Sequence, residues 1–207
     1  MKKIMFNDKY GLTKAVLEER KTMTRRILKA PRTMEGKDVY GFSVVTYRTG
    51  DVVEVMALDE DEAMIGNILP KYKVGEVVAV AQSYSDIFVK ADLSKRKGSL
   101  GDLITSAGWD NKMFVQAEVM PKKIRITNVR VERLQDISDE DCLREGIEWC
   151  HGSRSYYINF DHKTGLRTWL YRNTPREAFA ALIDKVSGKG TWASNPYCFC
   201  YTFELIK

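Results

Sequence analysis

The chain has 207 residues, 44% of them hydrophobic and 29% charged, enough to bury a substantial core and most simply one domain (1–207) carrying insertions. No run of about 18 apolar residues occurs, and the N-terminus turns polar after one apolar patch, so neither a membrane span nor a secretory signal is expected and the reading is cytoplasmic. A net charge of +5 favours an anionic partner such as RNA without singling one out.

Ile4 to Phe6 read as a short strand, and Asn7 or Asp8 caps a helix whose Leu12, Ala15 and Val16 share one face. The stretch Glu18 to Ile27, E-E-R-K-T-M-T-R-R-I, follows. Two β-branched threonines alternating with Met23 and Ile27 predict that the helix stops near Arg20 and a strand starts near Met23. The junction displays Arg20, Lys21, Thr22 and Thr24. Its spacing allows two readings: a basic, solvated turn, or a pocket in which the Lys21 stem swings back toward Thr24. For Lys21 to act as a base toward that hydroxyl its pKa must fall about three units, roughly 4 kcal/mol of preference for the neutral amine, and Arg20, Arg25 and Arg26 supply only part by repulsion.

Beyond a polar passage with Pro31, Gly36 and Gly41, the alternating runs 40–47 and 52–56 predict an inserted hairpin turning through Arg48 to Asp51. Asp59 to Glu62 read as a solvated loop or helix start, since the glycine and terminal glutamate of a calcium loop are missing. Pro70 to Glu76 form a turn with Gly75 at positive φ, feeding a strand from Val77 to Ala81 that is apolar on both faces. A long connection follows, with a short helix expected near 92–104. Met113 to Val119 and Ile124 to Leu134 alternate like strands, the second changing phase near Asn128, where a bulge reconciles the two phases.

Ser138 to Asp141 form a capping box opening a helix that ends at Gly146. Glu145 stands in the last turn, where the helix dipole disfavours a carboxylate; it is either an exposed surface residue or paired with a cation. Between Trp149 and Asn173, aromatic residues (Tyr156, Tyr157, Phe160, Trp169, Tyr171) interleave with Arg154, Lys163, Arg167 and Arg172, a pattern that either stacks bases or covers the flank of the core. Thr174 to Glu177 form a second capping box, with proline at the first helical position, launching a helix that Gly188 ends. Tyr197 to Ile206 read as a long closing strand. The four cysteines form no C-x-x-C pair and read as free thiols, so no metal and no cofactor is expected.

The motif E-R-K-T-M-T-R-R (19–26), the K-V-G-E strand (73–80), the block 130–147 and the closing W-A-S-N-P-Y-C-F-C-Y-T-F-E-L (192–205) together resemble the ASCH-domain family, and within it phage and prophage proteins. The resemblance implies an α+β fold, a PUA-like mixed β-barrel with flanking helices, into which 30–70, 85–112 and 148–172 are inserted. It also implies a cleft for RNA or a modified nucleoside. Some small members are amidohydrolases that deacetylate N4-acetylcytidine. Carried over residue by residue, that activity assigns Lys21 as base, Thr24 as nucleophile and Glu145 as acid/base partner, with Arg20, Thr22, Arg25, Arg26, Gln82 and Tyr84 as substrate or RNA contacts. The chain departs from the pattern at Glu19, where the motif has glycine, and at Ala81 to Tyr84, where phage relatives resemble R-E-x-W. Three functions follow as expectations: RNA or modified-nucleoside binding through a basic cleft, amide hydrolysis by Lys21, Thr24 and Glu145, or a non-catalytic phage accessory role through protein partners.

Overall fold

The computed structural model describes residues 1–29, 31–46, 52–88, 100–161 and 167–206. In chain order the strands are β1 (Lys3–Ile4), β2 (Met23–Ile27), β3 (Thr33–Met34), β4 (Lys37–Asp38), β5 (Gly41–Thr46), β6 (Val52–Leu58) and β7 (Met64–Ile68). They continue with β8 (Val77–Val80), β9 (Lys123–Arg133), β10 (Glu148–Cys150), β11 (Ser155–Asp161), β12 (Arg167–Arg172) and β13 (Tyr197–Ile206). The α-helices are α1 (Leu12–Leu17), α2 (Tyr84–Ile87), α3 (Leu100–Ile104), α4 (Asp139–Arg144), α5 (Pro175–Ser187) and α6 (Thr191–Ser194). The fold is a mixed α+β arrangement of several sheets.

Its centre is a five-stranded sheet in the order β1-β8-β9-β13-β2, antiparallel except for the β1–β8 pair. Among the described residues this sheet is open, with β1 and β2 as its edges, so no closed barrel forms. The edges are joined by side chains instead. Arg26 Nη2 donates to the Met5 carbonyl at 2.5 Å, its guanidinium lies 5.6 Å from the Phe6 ring, and Phe6 packs on Phe203 of β13 at 5.7 Å. The strand after Gly75 is central and buried on both faces: Val78 and Val80 join the main core, Ala79 and Ala81 a second cluster. The bulge expected near Asn128 is present, because the β9–β13 register shifts between Thr202 and Phe203.

The main core includes Ile4, Val16, Ile124, Ile126, Tyr201, and Phe179 and Leu182 of α5. Burying each such side chain stabilises the fold by roughly 1.5–3 kcal/mol. Both ends of α5 follow from local chemistry. Thr174 and Glu177 make the reciprocal capping box at its start and Gly188 sits at its end with φ +115°.

Several expectations are corrected. Residues 113–119 do not form a strand but two 3₁₀ turns, Lys112–Phe114 and Ala117–Val119. The cause is distant: the Lys3 ammonium takes the carbonyls of Lys112, Met113 and Val115, which removes them from any ladder. Of the helix expected near 92–104, the part in the described residues is α3, while 89–99 lie outside them. The hairpin strands are present as β5 and β6 with their turn, 47–51, outside the described residues, and β7 adds a third strand. Asp59 is not solvated; it is buried in the β6–β7 turn, accepting from the Asp61 and Ala63 amides and from Lys37 Nζ at 2.6 Å. Ser138 caps α4, but Asp141 gives no reciprocal bond and turns to arginines.

The end of α1 fixes the path into the basic stretch. The Arg20 amide bonds the Ala15 carbonyl and the Glu19 amide that of Val16, the paired bonds of a Schellman ending, with Glu19 at φ +60°. A side chain costs about 1–2 kcal/mol in that conformation and glycine about half of it or less. Glu19→Gly is therefore expected to stabilise the protein by about 0.5–1 kcal/mol, measurable as a raised urea midpoint with an unchanged slope; a lowered midpoint would refute the strain.

Candidate functional site

The Schellman turn aims Lys21 inward. Its ammonium donates to the Glu145 carbonyl at 2.7 Å and to Glu145 Oε2 at 2.5 Å, and both side chains are almost wholly buried, at 2% and 5% exposure. Glu145 is presented by the C-terminus of α4, whose chain turns away at Gly146 with φ +101°; a Cβ there would lie 3.6 Å from the Lys21 stem and from Leu12. Burial pushes the Lys21 ammonium below its ordinary pKa and Glu145 partly restores it, while Arg26 and Arg25 add repulsion. The carboxylate disfavoured by its own helix dipole thus has the partner it requires.

Strand alternation on β2 sends Met23 and Arg25 to one face and Thr24 and Arg26 to the other. Arg25 is buried among three carboxylates. Its Nη1 donates to Glu145 Oε1 at 3.3 Å, its Nη2 to Asp141 Oδ2 at 3.1 Å, and Nε and Nη2 both reach Glu132 Oε1. Arg130 bonds Glu132 and Asp141 from the other side, and Arg144 Nη1 reaches Asp141 Oδ1 at 3.4 Å. Arg20 is held by Glu18 at 2.6 Å and by Glu148 at 2.7 Å. Every cation of the corner is therefore committed to protein oxygens.

A cleft of about 260 Å³ opens beside the pair, lined by Val16, Glu19, Lys21, Thr22, Phe203, Glu204 and Leu205. Its floor is apolar and its rim carries the Glu19 and Glu204 carboxylates. Of the residues expected at the site, the structure brings together Lys21 and Glu145 by contact and places Lys21 and Thr22 on the cleft wall. Thr24 is buried on the β2 face shared with Arg26, and its hydroxyl makes no hydrogen bond to Lys21 or Glu145. Tyr84 lies in the second core cluster with Ile87 and Val115, and Gln82, whose Oε1 is buried without a hydrogen-bond partner among the described residues, does not line the cleft. Reasoning from sequence missed Glu132, Asp141 and Glu204. Glu132 and Asp141 sit in the block 130–147 beside Glu145, a density of acids near a cationic motif that signals pairing.

Among the described residues no group of three or more histidine, cysteine, aspartate or glutamate side chains is placed to hold a metal ion. Cys142, Cys198 and Cys200 are buried free thiols and Cys150 is half-buried. No helix among the described residues is long and apolar enough to cross a membrane.

Two measurements check this geometry. Glu145→Gln leaves a buried ammonium without its counter-charge and is expected to cost about 3–5 kcal/mol in urea unfolding, whereas Lys21→Met with Glu145→Leu recovers most of that loss. Equal losses in both proteins would contradict the buried pair. Burial pushes Glu132 up, but the Arg130 hydrogen bond and the Arg25 charge outweigh it and hold the carboxyl below its ordinary 4.5. Its folded pKa being the lower one, Glu132 stabilises the fold fully above pH ~4.5 and loses that contribution as pH falls through the depressed value. Glu132→Gln should accordingly lower stability at pH 7 and flatten its fall between pH 5 and 3; an unchanged acid profile would count against it.

Compared with known proteins, the chain matches no family model, no curated protein and no solved structure.

Proposed function

We propose that the protein is a PUA-like module of the ASCH type that takes a modified nucleoside into the cleft beside Lys21. One observation carries this reading: a buried, paired ammonium forms the polar wall of a small apolar-floored cleft whose rim is carboxylate. Its 260 Å³ lies just under the usual range for small-ligand sites, about 300–1,000 Å³. Phosphate holding by the corner is the weaker reading, since Arg20, Lys21 and Arg25 already satisfy carboxylates, Arg26 satisfies the Met5 carbonyl, and the rim carries the Glu19 carboxylate and Glu204, the latter 3.6 Å from Arg125. A neutral base with amide and amine edges suits the Lys21 donor and the Thr22 hydroxyl.

The Lys21–Glu145 contact favours a second reading, amide hydrolysis beside the pair, which needs the buried Thr24, absent from the cleft lining, to be opened to the substrate. Glu145 takes a proton from the Lys21 ammonium, and the neutral amine takes the Thr24 hydroxyl proton as Thr24 Oγ1 attacks the amide carbonyl. The tetrahedral intermediate collapses by breaking the carbonyl–nitrogen bond, with the leaving amine protonated by Lys21. Water then releases the acyl group from Thr24. The step requires the Lys21 stem to turn from Glu145 toward Thr24 once ligand displaces water, a tightening common between free and occupied sites.

Calorimetric titration with N4-acetylcytidine and with cytidine 5′-monophosphate tests the first reading. The nucleoside should bind and the monophosphate bind more weakly, with Glu204→Gln narrowing the gap about two- to fivefold, the scale of one exposed charge pair. Tighter binding of the monophosphate would overturn the cleft assignment. For hydrolysis, release of cytidine should vanish in Thr24→Val while nucleoside binding persists; turnover retained in that variant would remove Thr24 as nucleophile.

A further inference from the structure

The surroundings of the Lys21 amine suit it to more than holding a ligand. An ammonium has three hydrogens, and Lys21 gives two of them to Glu145, one to the backbone carbonyl at 2.7 Å and one to Oε2 at 2.5 Å. The third has no protein acceptor among the described residues. Arg25 Nη1 holds the other carboxylate oxygen, Oε1, at 3.3 Å, which leaves Oε2 to the amine. Burial, with repulsion from Arg26 and Arg25, pushes the ammonium below its ordinary pKa against the pull of Glu145. Desolvation and a neighbouring cation are the two conditions that make a lysine nucleophilic. Thr22, on the same cleft wall, accepts from Arg144 Nε at 3.4 Å, and its own hydroxyl hydrogen has no protein acceptor among the described residues. Val16, Phe203 and Leu205 line the cleft with apolar surface.

We propose that Lys21 is the nucleophile of a Schiff-base site for small, uncharged aldehydes. The inference rests on the reading that the cleft beside Lys21 admits a small molecule, and goes beyond it in assigning covalent chemistry. Glu145 Oε2 takes a proton from the ammonium, and the nitrogen lone pair attacks the aldehyde carbon as the Lys21 stem turns toward the cleft. A carbon–nitrogen bond forms and the carbonyl π pair moves to oxygen, where the Thr22 hydroxyl donates to it. Glu145 returns its proton to that oxygen and takes one from the nitrogen, leaving a neutral carbinolamine. Protonation of the carbinolamine hydroxyl by Glu145 then expels water with the carbon–oxygen bonding pair, and the nitrogen lone pair closes the C=N bond. The sum is ammonium plus aldehyde giving iminium plus water, with no change of oxidation state. The iminium carries the same single positive charge as the ammonium, so Glu145 keeps its buried counter-charge. Acyl transfer to Lys21 would instead leave a neutral amide and Glu145 with Arg25 alone. The class of aldehyde follows from the lining, since an apolar floor under the Glu19 carboxylate suits an uncharged, apolar body better than an anion.

Reductive trapping of the whole protein tests it. Benzaldehyde is added with sodium cyanoborohydride, which reduces an iminium to a secondary amine, and the benzylated lysines are mapped and timed by peptide mass spectrometry. Lys21 should be labelled about a hundredfold faster than the exposed Lys73 and Lys189, the lower end of what a positioned acid–base group contributes. Thr22→Val should slow Lys21 labelling about tenfold, the scale of one lost hydrogen bond to a developing oxyanion, and Thr22→Ser should restore it. The anionic glyoxylate should show a smaller preference for Lys21 over the same two exposed lysines. The proposal is overturned if Lys73 and Lys189 are labelled while Lys21 is not, if Thr22→Val is labelled at the parent's rate, or if glyoxylate prefers Lys21 as strongly as benzaldehyde does. It is also overturned if Lys21 labelling climbs with urea below the unfolding transition, which would mean that opening of the fold admits the aldehyde. Calorimetry with N4-acetylcytidine reports separately on the nucleoside. Nucleoside binding by a protein that gives no Lys21 adduct sinks this inference alone, and a Lys21 adduct in a protein that binds no nucleoside sinks that reading alone.

Discussion

One buried ion pair sets the arrangement of everything near the cleft. Lys21 and Glu145 are 124 positions apart, and neither tolerates burial alone, because an uncompensated charge in a low-dielectric interior costs several kcal/mol. Together they pin the C-terminus of α4 to the entrance of β2. The backbone repeats the same pinning: the Thr22 amide bonds the Arg144 carbonyl, and the Phe203 amide bonds the Thr22 carbonyl. Two left-handed residues allow it. Glu19 lets the chain leave α1 toward the pair, and Gly146 lets it leave α4 away from the pair. A buried pair with such demands draws its cost from the rest of the fold.

The neighbouring arginines extend the same logic. Arg25, Arg130 and Arg144 meet Glu132, Asp141 and Glu145 in a network whose members lie on β2, β9 and α4. Each carboxylate serves more than one cation, so removing one acid takes a partner from at least two positive groups. The basic look of E-R-K-T-M-T-R-R is therefore misleading as a guide to anion binding. Arg20, Lys21 and Arg25 are paired with acids more than a hundred positions later, and Arg26 is held by the Met5 carbonyl.

How much of this was legible depends on how far the deciding contact lies along the chain. The ends of α1, α4 and α5, the Gly75 turn and the β9 bulge were readable, because caps, positive-φ glycines and phase changes act within a few residues. The strand expected at 113–119 was not. Its odd-numbered apolar positions alternate, but Met113 is exposed, and the Lys3 ammonium decides the backbone from 110 positions away. The meander was illegible for a different reason. Tyr156, Ile158 and Leu170 point inward while Tyr157, Trp169 and Tyr171 point outward, so both parities are apolar and the period-2 signal cancels. At the site, the structure shows the Lys21–Glu145 contact, which the resemblance led one to look for, whereas the partners of Glu132 and Asp141 required coordinates, since an arginine's partner is not encoded near it.

The cleft and the β10–β12 meander are mechanically joined. Arg20 immediately precedes Lys21 and holds Glu148, which takes the Tyr157 hydroxyl. Only Gly146 and Ile147 separate Glu148 from Glu145. A displacement of β10 therefore reaches Lys21 by two short routes, through the Arg20 side chain and through the Glu145 backbone. Both routes are polar and geometrically strict, unlike a packed apolar contact that slips by rotamer changes.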